Sequence, residues 1–313
     1  MDYSVIVPLY NEEEVIGECY RRLTEIMTSS GGSYELVFVD DGSKDKTMEL
    51  ACDIALSDRH VKIIGFSRNF GHQTAITAGM DVASGKAVVV VDADLQDPPP
   101  VILEMIALWK QGYQVVYGKR KKRVGESLFK KATAKLFYRI FNTLTDVDIP
   151  VDTGDFRLLD RKAVDALKSL PERSRYVRGL VSWVGFRQTA VEYVRHERFA
   201  GETKYPLRKM LKFAADAVTS FSYKPLKLSI LLGVILAAAS FAYLISVLYI
   251  AIFTDRTVHG WASLAVMSLF FNGVILIMLG VIGKYIGKIY DETKARPLYI
   301  INEKIGFDED TRH

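Results

Sequence analysis

Two aspartates one residue apart, Asp92 and Asp94, follow the apolar run Val88 to Val91 and precede Pro98-Pro99-Pro100. Such a run reads as a buried strand, so both carboxylates leave its carboxyl end on one face. Two hard oxygen donors so placed can hold a divalent cation, Mg²⁺ or Mn²⁺, that grips a diphosphate as it leaves. Gln96 projects the same way as Asp94 and adds a neutral oxygen. A lone Asp-x-Asp also caps helices, but here it stands beside three other polar strand ends. Asp40-Asp41-Gly42-Ser43, followed by Asp45 and Thr47, combines a tight turn with a helix start. Ser43 or Asp45 suits the N-cap, leaving Asp40 or Asp41 to accept a base N–H or ribose hydroxyls. A third apolar run ends in Ser67-Arg68-Asn69-Phe70-Gly71, which makes Arg68 a further candidate for substrate contact. His72, next in line, reads as a helix-start residue rather than a ligand.

The elements that position these residues are legible as alternating patterns. SVIVPL, ELVFVD, VKIIGF, AVVVVD and QVVYG read as buried strands. Helical spacing covers Glu13 to Met27, Thr47 to Leu56, Gln73 to Ala83 and Val101 to Gln111. Strand–helix–strand at this spacing implies parallel pairing with right-handed crossovers, an α/β sheet covered on both faces. In such sheets ligands bind beyond the carboxyl ends of the strands, where these three loops lie together with Pro8-Leu9-Tyr10-Asn11-Glu12 at the end of the first strand. Neither G-x-G-x-x-G nor the Walker A pattern is present, which argues against a dinucleotide or P-loop site.

The chain has 313 residues, 49 % hydrophobic and 25 % charged, with a net charge of +4. That charge is too small to argue for nucleic acid, although Lys119 to Arg123, Lys130-Lys131 and Arg208 to Lys212 form basic clusters suited to phosphate or anionic lipid. Two isolated cysteines, Cys19 and Cys52, fit a reducing compartment. The amino terminus reads as a strand and not as a signal peptide, so the first 205 residues are expected to form a cytosolic domain. Residues 229–253 and 261–283 contain no Asp, Glu, Lys or Arg, and each exceeds the roughly 20 residues needed to cross a bilayer. Lys224, Lys227, Lys284 and Lys288 flank their outer ends, which places both ends in the cytoplasm. The expected order is a catalytic domain over 1–205, an amphipathic interfacial helix within 206–228, a transmembrane hairpin over 229–286 and a cytosolic tail over 287–313.

Seven stretches carry a resemblance: VIVPLYNEEE, VDDGSKDKT, RNFGHQTAITAG, DADLQDPPP, GKR, VDTGDFRLLDRKAV and RFAGETKYPLRKM. Together they resemble the polyprenyl-phosphate branch of the family-two inverting glycosyltransferases, whose catalytic domain has the GT-A fold. The resemblance implies transfer of a hexose, glucose from UDP-glucose in the first instance, to polyisoprenyl phosphate at the cytoplasmic face of the inner membrane. Mannose and an aminoarabinose derivative are the alternatives within that reaction, and an inactive membrane scaffold is the alternative outside it. By the same resemblance Pro8, Tyr10, Asn11, Glu12 and Asp41 line the nucleotide pocket, while Asp92, Asp94 and Gln96 serve the metal and diphosphate. Arg120 reaches a phosphate, and Thr203, Lys204 and Tyr205 close the site over the lipid. Asp155 takes the place of a catalytic base. Its acceptor is a phosphate monoester with a second pKa near about 6, already ionised at neutral pH, so orienting the acceptor is the other role open to it. Gly233, Gly273, Gly280 and Gly283 are small enough to permit close helix packing, including between subunits.

Overall fold

The computed structural model describes residues 1–121, 150, 153–173, 175–195, 222–253 and 260–307. Four parallel strands form its centre: β1 (Tyr3–Leu9), β2 (Tyr34–Asp40), β3 (Val61–Phe66) and β4 (Ala87–Val90). Between them run α1 (Ile16–Ser29), α2 (Thr47–Ser57) and α3 (His72–Val82), with α4 (Val101–Lys110) leading to β5 (Val115–Arg120). These are the strands and helices that the periodicity predicts, with ends shifted by a few residues.

The remaining strands make the sheet mixed. β6 (Thr153–Asp160) lies antiparallel between β4 and β5. After α5 (Arg161–Ser169) and α6 (Val177–Trp183), β7 (Gln188–Tyr193) adds to β5 in parallel. At the opposite edge β8 (Ile301–Ile305) runs antiparallel to β3. The order is β7-β5-β6-β4-β1-β2-β3-β8. Alternate residues of β1 face opposite cores. Val5, Val7 and Leu9 pack with Ile16, Leu23 and Met27 of α1 and Met105 of α4. Ile6 packs with Ile76 and Met80 of α3 and with Leu180 of α6. Both faces are thus closed, and the polar strand ends are left as the open edge of this layer.

Two long helices follow, α7 (Lys224–Phe253) and α8 (Trp261–Thr293). Lys224–Tyr243 and Phe270–Thr293 are long and apolar enough to cross a membrane, with mean hydropathies of 1.9 and 1.7, and neither span is buried in the protein. Side chains such as Ile230, Phe241, Leu276 and Ile277 stand exposed along them. Most of the expected interfacial helix lies outside the described residues, and its last part, from Lys224, is the first turn of α7. The segment expected as a tail holds the end of α8 and then strand β8, so 301–305 belongs to the sheet.

Candidate functional site

The loops after β1 and β2 are knitted together by backbone donors. Asn11 N–H donates to Ser43 Oγ at 2.9 Å, Lys44 N–H to Asn11 Oδ1 at 2.9 Å and Glu12 N–H to Thr47 Oγ1 at 2.8 Å. Asn11 sits at φ 55°, a left-handed position that asparagine tolerates. Pro8 is buried in β1, while Tyr10 exposes 43 % of its surface to a cleft of about 610 Å³. Asp40, Gly42, Arg68, Asn302 and Glu303 also line this cleft.

The aspartate pair divides its work. Asp41 accepts from Phe70 N–H at 2.6 Å and from Gly71 N–H at 2.9 Å, so its carboxylate fastens the β3 loop. Burial pushes that carboxyl up, and the two amide donors oppose the shift. Asp40 accepts from Ser43 N–H at 3.1 Å through Oδ2, while its buried Oδ1 has no hydrogen-bond partner among the described residues. Asp40 is therefore the member whose carboxylate keeps a buried acceptor without a hydrogen bond among the described residues. Gly42 allows the two loops to touch. Its φ is +69°, and a Cβ there would stand 2.5 Å from the Arg68 carbonyl carbon. Arg68 stacks its guanidinium 3.9 Å from the Phe70 ring centre.

The second half of the site lies past β4 and β6. Asp92 and Asp94 follow β4, and the left-handed Leu95, φ 57°, turns the chain so that Gln96 N–H donates to Asp94 Oδ1 at 3.1 Å. Asp155 enters from β6. His72 Nε2 stands 3.4 Å from both Asp92 Oδ1 and Asp155 Oδ2, joining the β4 loop to β6. Arg178 Nε donates to Asp155 Oδ1 at 3.0 Å and Gln73 Nε2 to Asp155 Oδ2 at 3.0 Å. Gln73 also accepts from Val177 N–H at 2.9 Å, fixing the start of α6. Burial alone would raise the Asp155 carboxyl, but His72 and Arg178 outweigh it and hold it well below the usual carboxylate range. For Asp92 burial prevails, and its carboxyl is pushed up to about 6. Asp92 Oδ1 makes no hydrogen bond among the described residues. No group of three or more His, Cys, Asp or Glu among the described residues could by itself hold a metal ion. Any cation here would complete its shell from a ligand.

A third cluster flanks the second. Asp97, 1 % exposed, accepts from Tyr193 Oη and lies 4.0 Å from Arg120 Nη2 and 3.8 Å from Arg195 Nε. Arg120 crosses Gly154, where a Cβ would approach its Nη2 to 2.8 Å. Two guanidinium groups thus converge on one buried carboxylate.

Of the residues singled out from the sequence, Asp92, Asp94, Gln96 and Asp155 share one region. Tyr10, Asp40 and Arg68 share the adjoining cleft. Pro8, Asn11, Glu12 and Asp41, expected in the nucleotide pocket, do not line this cleft: Pro8 is buried in β1, and Asn11, Glu12 and Asp41 brace the loops around it. Thr203, Lys204 and Tyr205 lie outside the described residues. His72 is the helix start that its sequence position suggests, but its place between Asp92 and Asp155 escaped sequence reasoning, as did Gln73, Asp97, Arg178 and Tyr193. His72 and Gln73 stood in the RNFGHQT stretch as a signal, whereas Arg178 had none.

Comparison with known proteins identifies the family. The profile of glycosyl transferase family 2 matches residues 4–168. An uncharacterized glycosyltransferase of Bacillus subtilis (strain 168) is 60 % identical over 308 residues, covering 98 % of this chain and 95 % of that protein. The bactoprenol glucosyl transferase of Shigella phage SfV is 42 % identical over 305 residues, covering 97 % and 99 %. Among solved structures, glucosyl-3-phosphoglycerate synthase from Mycobacterium tuberculosis in complex with UDP aligns at 21 % identity and a TM-score of 0.47, covering 70 % of this chain and 78 % of that one. With the family profile spanning more than half the sequence and relatives matching almost its whole length, the chain belongs to glycosyl transferase family 2 and is a glycosyltransferase of the GT-A fold.

Proposed function

We propose that this enzyme transfers a hexose, glucose from UDP-glucose, to polyisoprenyl phosphate at the cytoplasmic face of the inner membrane. Relatives named bactoprenol glucosyl transferases match nearly the full chain, which supports a polyprenyl phosphate acceptor. The two unburied apolar helices support a membrane-held chain whose catalytic sheet stays in the cytoplasm. The observation that carries the reading is His72, 3.4 Å from Asp92 on one side and from Asp155 on the other. It brings the donor-phosphate carboxylates and the acceptor-side carboxylate into one reaction volume.

In this reading Tyr10, Asp40 and Arg68 take the nucleoside, and Asp92, Asp94 and Gln96 face the diphosphate. Their oxygens fit a hard cation: Asp92 Oδ1 makes no hydrogen bond among the described residues and has His72 Nε2 beside it at 3.4 Å. When bound, Mg²⁺ or Mn²⁺ would neutralise charge on the leaving diphosphate. Arg120 and Arg178 attract the acceptor phosphate. One phosphate oxygen attacks C1 of the sugar, a new C1–O bond forms as the C1–O bond to the diphosphate breaks, and the configuration inverts. The acceptor is ionised at neutral pH, so no strong base is needed. Asp155, with both oxygens engaged, orients Arg178, His72 and Gln73 and through them the acceptor. Thr203, Lys204 and Tyr205 are assigned to the lipid side by family position.

The test is to incubate membranes carrying the chain with labelled UDP-glucose, GDP-mannose and an aminoarabinose donor, plus polyprenyl phosphate. Label from UDP-glucose is expected in the lipid fraction. Lipid labelled by another donor would change the sugar, and no lipid label from any donor would overturn the reading.

A further inference from the structure

Strand β8 is separated from the other seven by the two apolar helices, yet it forms one wall of the cleft beside Tyr10 and Asp40. It is held firmly there. Ser67 N–H donates to Ile300 O at 3.0 Å, Tyr299 stacks on Phe66 with ring centres 5.1 Å apart, and Tyr299 Oη donates to Asp81 Oδ2 at 2.9 Å. The pairing with β3 carries an irregularity. Gly65 pairs with Glu303 and Phe66 with Ile301, so Asn302 is an extra residue on β8. In a regular strand adjacent side chains point to opposite faces. A bulge breaks that alternation and re-aims a side chain, and bulges concentrate beside active sites. Here the result is that Asn302 and Glu303, neighbours in sequence, both line the same cleft, with the amide of Asn302 3.4 Å from Glu303 Oε1. Opposite Glu303 stands Gly65, which adds no side chain to the floor.

The polar groups converging there match a nucleoside. Asp40 Oδ1 is a buried acceptor without a partner among the described residues. Glu303 is a second acceptor, and Asn302 offers both donors and an acceptor. A base edge or a ribose diol presents the complementary N–H, O–H and carbonyl groups. A phosphate, all acceptors, would not suit two carboxylates. Resting on the proposed use of a nucleoside diphosphate sugar, we propose that Asn302 and Glu303 are contacts to the donor nucleoside, delivered by the carboxyl-terminal strand. They would select the nucleotide while the Asp92–Asp94 side holds the diphosphate.

The proposal separates nucleoside from diphosphate, and the experiment exploits that. Binding of UDP and of pyrophosphate, each with Mn²⁺, is measured by calorimetry on the full chain in detergent. Asn302→Ala and Glu303→Gln are expected to weaken UDP binding about tenfold each, the loss of one polar contact, and to leave pyrophosphate binding unchanged. Lys304→Ala, on the same strand outside the cleft lining, is expected to bind both like the parent. Asn302 and Glu303 are exposed, so thermal melting without nucleotide should not move. Parent-like UDP affinity in both variants would overturn this inference and leave the proposed reaction standing. An equal loss for UDP and pyrophosphate would also overturn it, assigning the strand a purely supporting role. A parent chain that binds neither UDP, UDP-glucose nor another nucleoside diphosphate would overturn both.

Discussion

Asp155→Asn tests whether this carboxylate removes a proton or organises its neighbours. Asparagine keeps one acceptor and turns the other oxygen into a donor. That donor must face Arg178 Nε, now 3.0 Å from Oδ1, or Gln73 Nε2 and His72 around Oδ2. One charge-assisted hydrogen bond is lost, worth about 1.5–3 kcal/mol. Arg178 keeps 25 % of its side chain in solvent, which absorbs part of that, so the expected loss of stability is about 1–2 kcal/mol. Misplaced Arg178 and His72 should lower kcat/KM for the lipid phosphate about 10- to 100-fold, equivalent to roughly 1.4–2.8 kcal/mol of barrier. Nucleotide affinity should stay within about twofold. Because Asp155 is held well below the usual carboxylate range, it is ionised throughout the neutral region. The ratio of parent to variant rates should therefore stay flat from about pH 6.5 to 8.5. A general base predicts a deficit of about 10²–10⁴-fold that shrinks as pH rises. Steady-state rates across that range, at saturating donor and varied lipid phosphate, decide between them. A deficit regained with rising pH, or rescue by added formate, would refute the positioning role.

Asp94→Asn should lose most turnover while keeping its melting temperature, and near-normal activity or a parent rate undiminished by excess EDTA would remove the metal assignment. Gly42→Ala places a Cβ 2.5 Å from the Arg68 backbone at a φ of +69°, so about 1–3 kcal/mol of stability and much of the nucleotide affinity should go. Gly31→Ala, at φ +71° with open space around it, should cost only about 1 kcal/mol and leave nucleotide binding intact, as melting and calorimetry would show. Glu35, 1 % exposed, would be raised by burial, but Lys62 at 2.7 Å together with Ser4 and Ser84 lowers it overall. Its folded pKa is depressed, so its contribution is present above its unfolded value of about 4.3 and is lost as pH falls below that. Glu35→Gln should then lower stability by about 1–3 kcal/mol at pH 7, a gap that begins to narrow in melting curves only as pH falls below about 4.3.

The parallel half of the sheet was legible because its strands are continuous apolar runs and its helices keep a clean period. The aspartates after β2 and β4 followed directly, since they sit at strand ends. β6 was not legible: Thr153-Gly154-Asp155 reads locally as a turn, and only the pairing of Thr153 with Lys119 and of Arg157 to Leu159 with β4 and β5 makes the segment a central strand. The surroundings of Asp155 escaped for the same reason. Gln73 lies 82 residues away in sequence and Arg178 lies 23 away, and no local pattern links them. The distinction between Asp40 and Asp41 depends on which carboxylate meets the Phe70 and Gly71 amides, a matter of loop packing. β8 is short and polar on three of its five positions, Asn302, Glu303 and Lys304, so its sequence resembles a solvated tail until β3 is placed beside it.

The late position of β8 in the chain has a consequence for biosynthesis. β3 leaves the ribosome early, and the strand that covers its edge is more than two hundred residues behind it, beyond both apolar helices. At about 5–20 residues per second that interval is roughly 10–50 s. During that time the β3 edge offers unpaired N–H and C=O groups, the feature that invites pairing between nascent chains. Lys62 on that strand, whose ammonium is paired with Glu35, is poorly placed to discourage such pairing. The sheet therefore closes only after both long helices have been made, so completion of the cleft reports that the chain has been synthesised through β8.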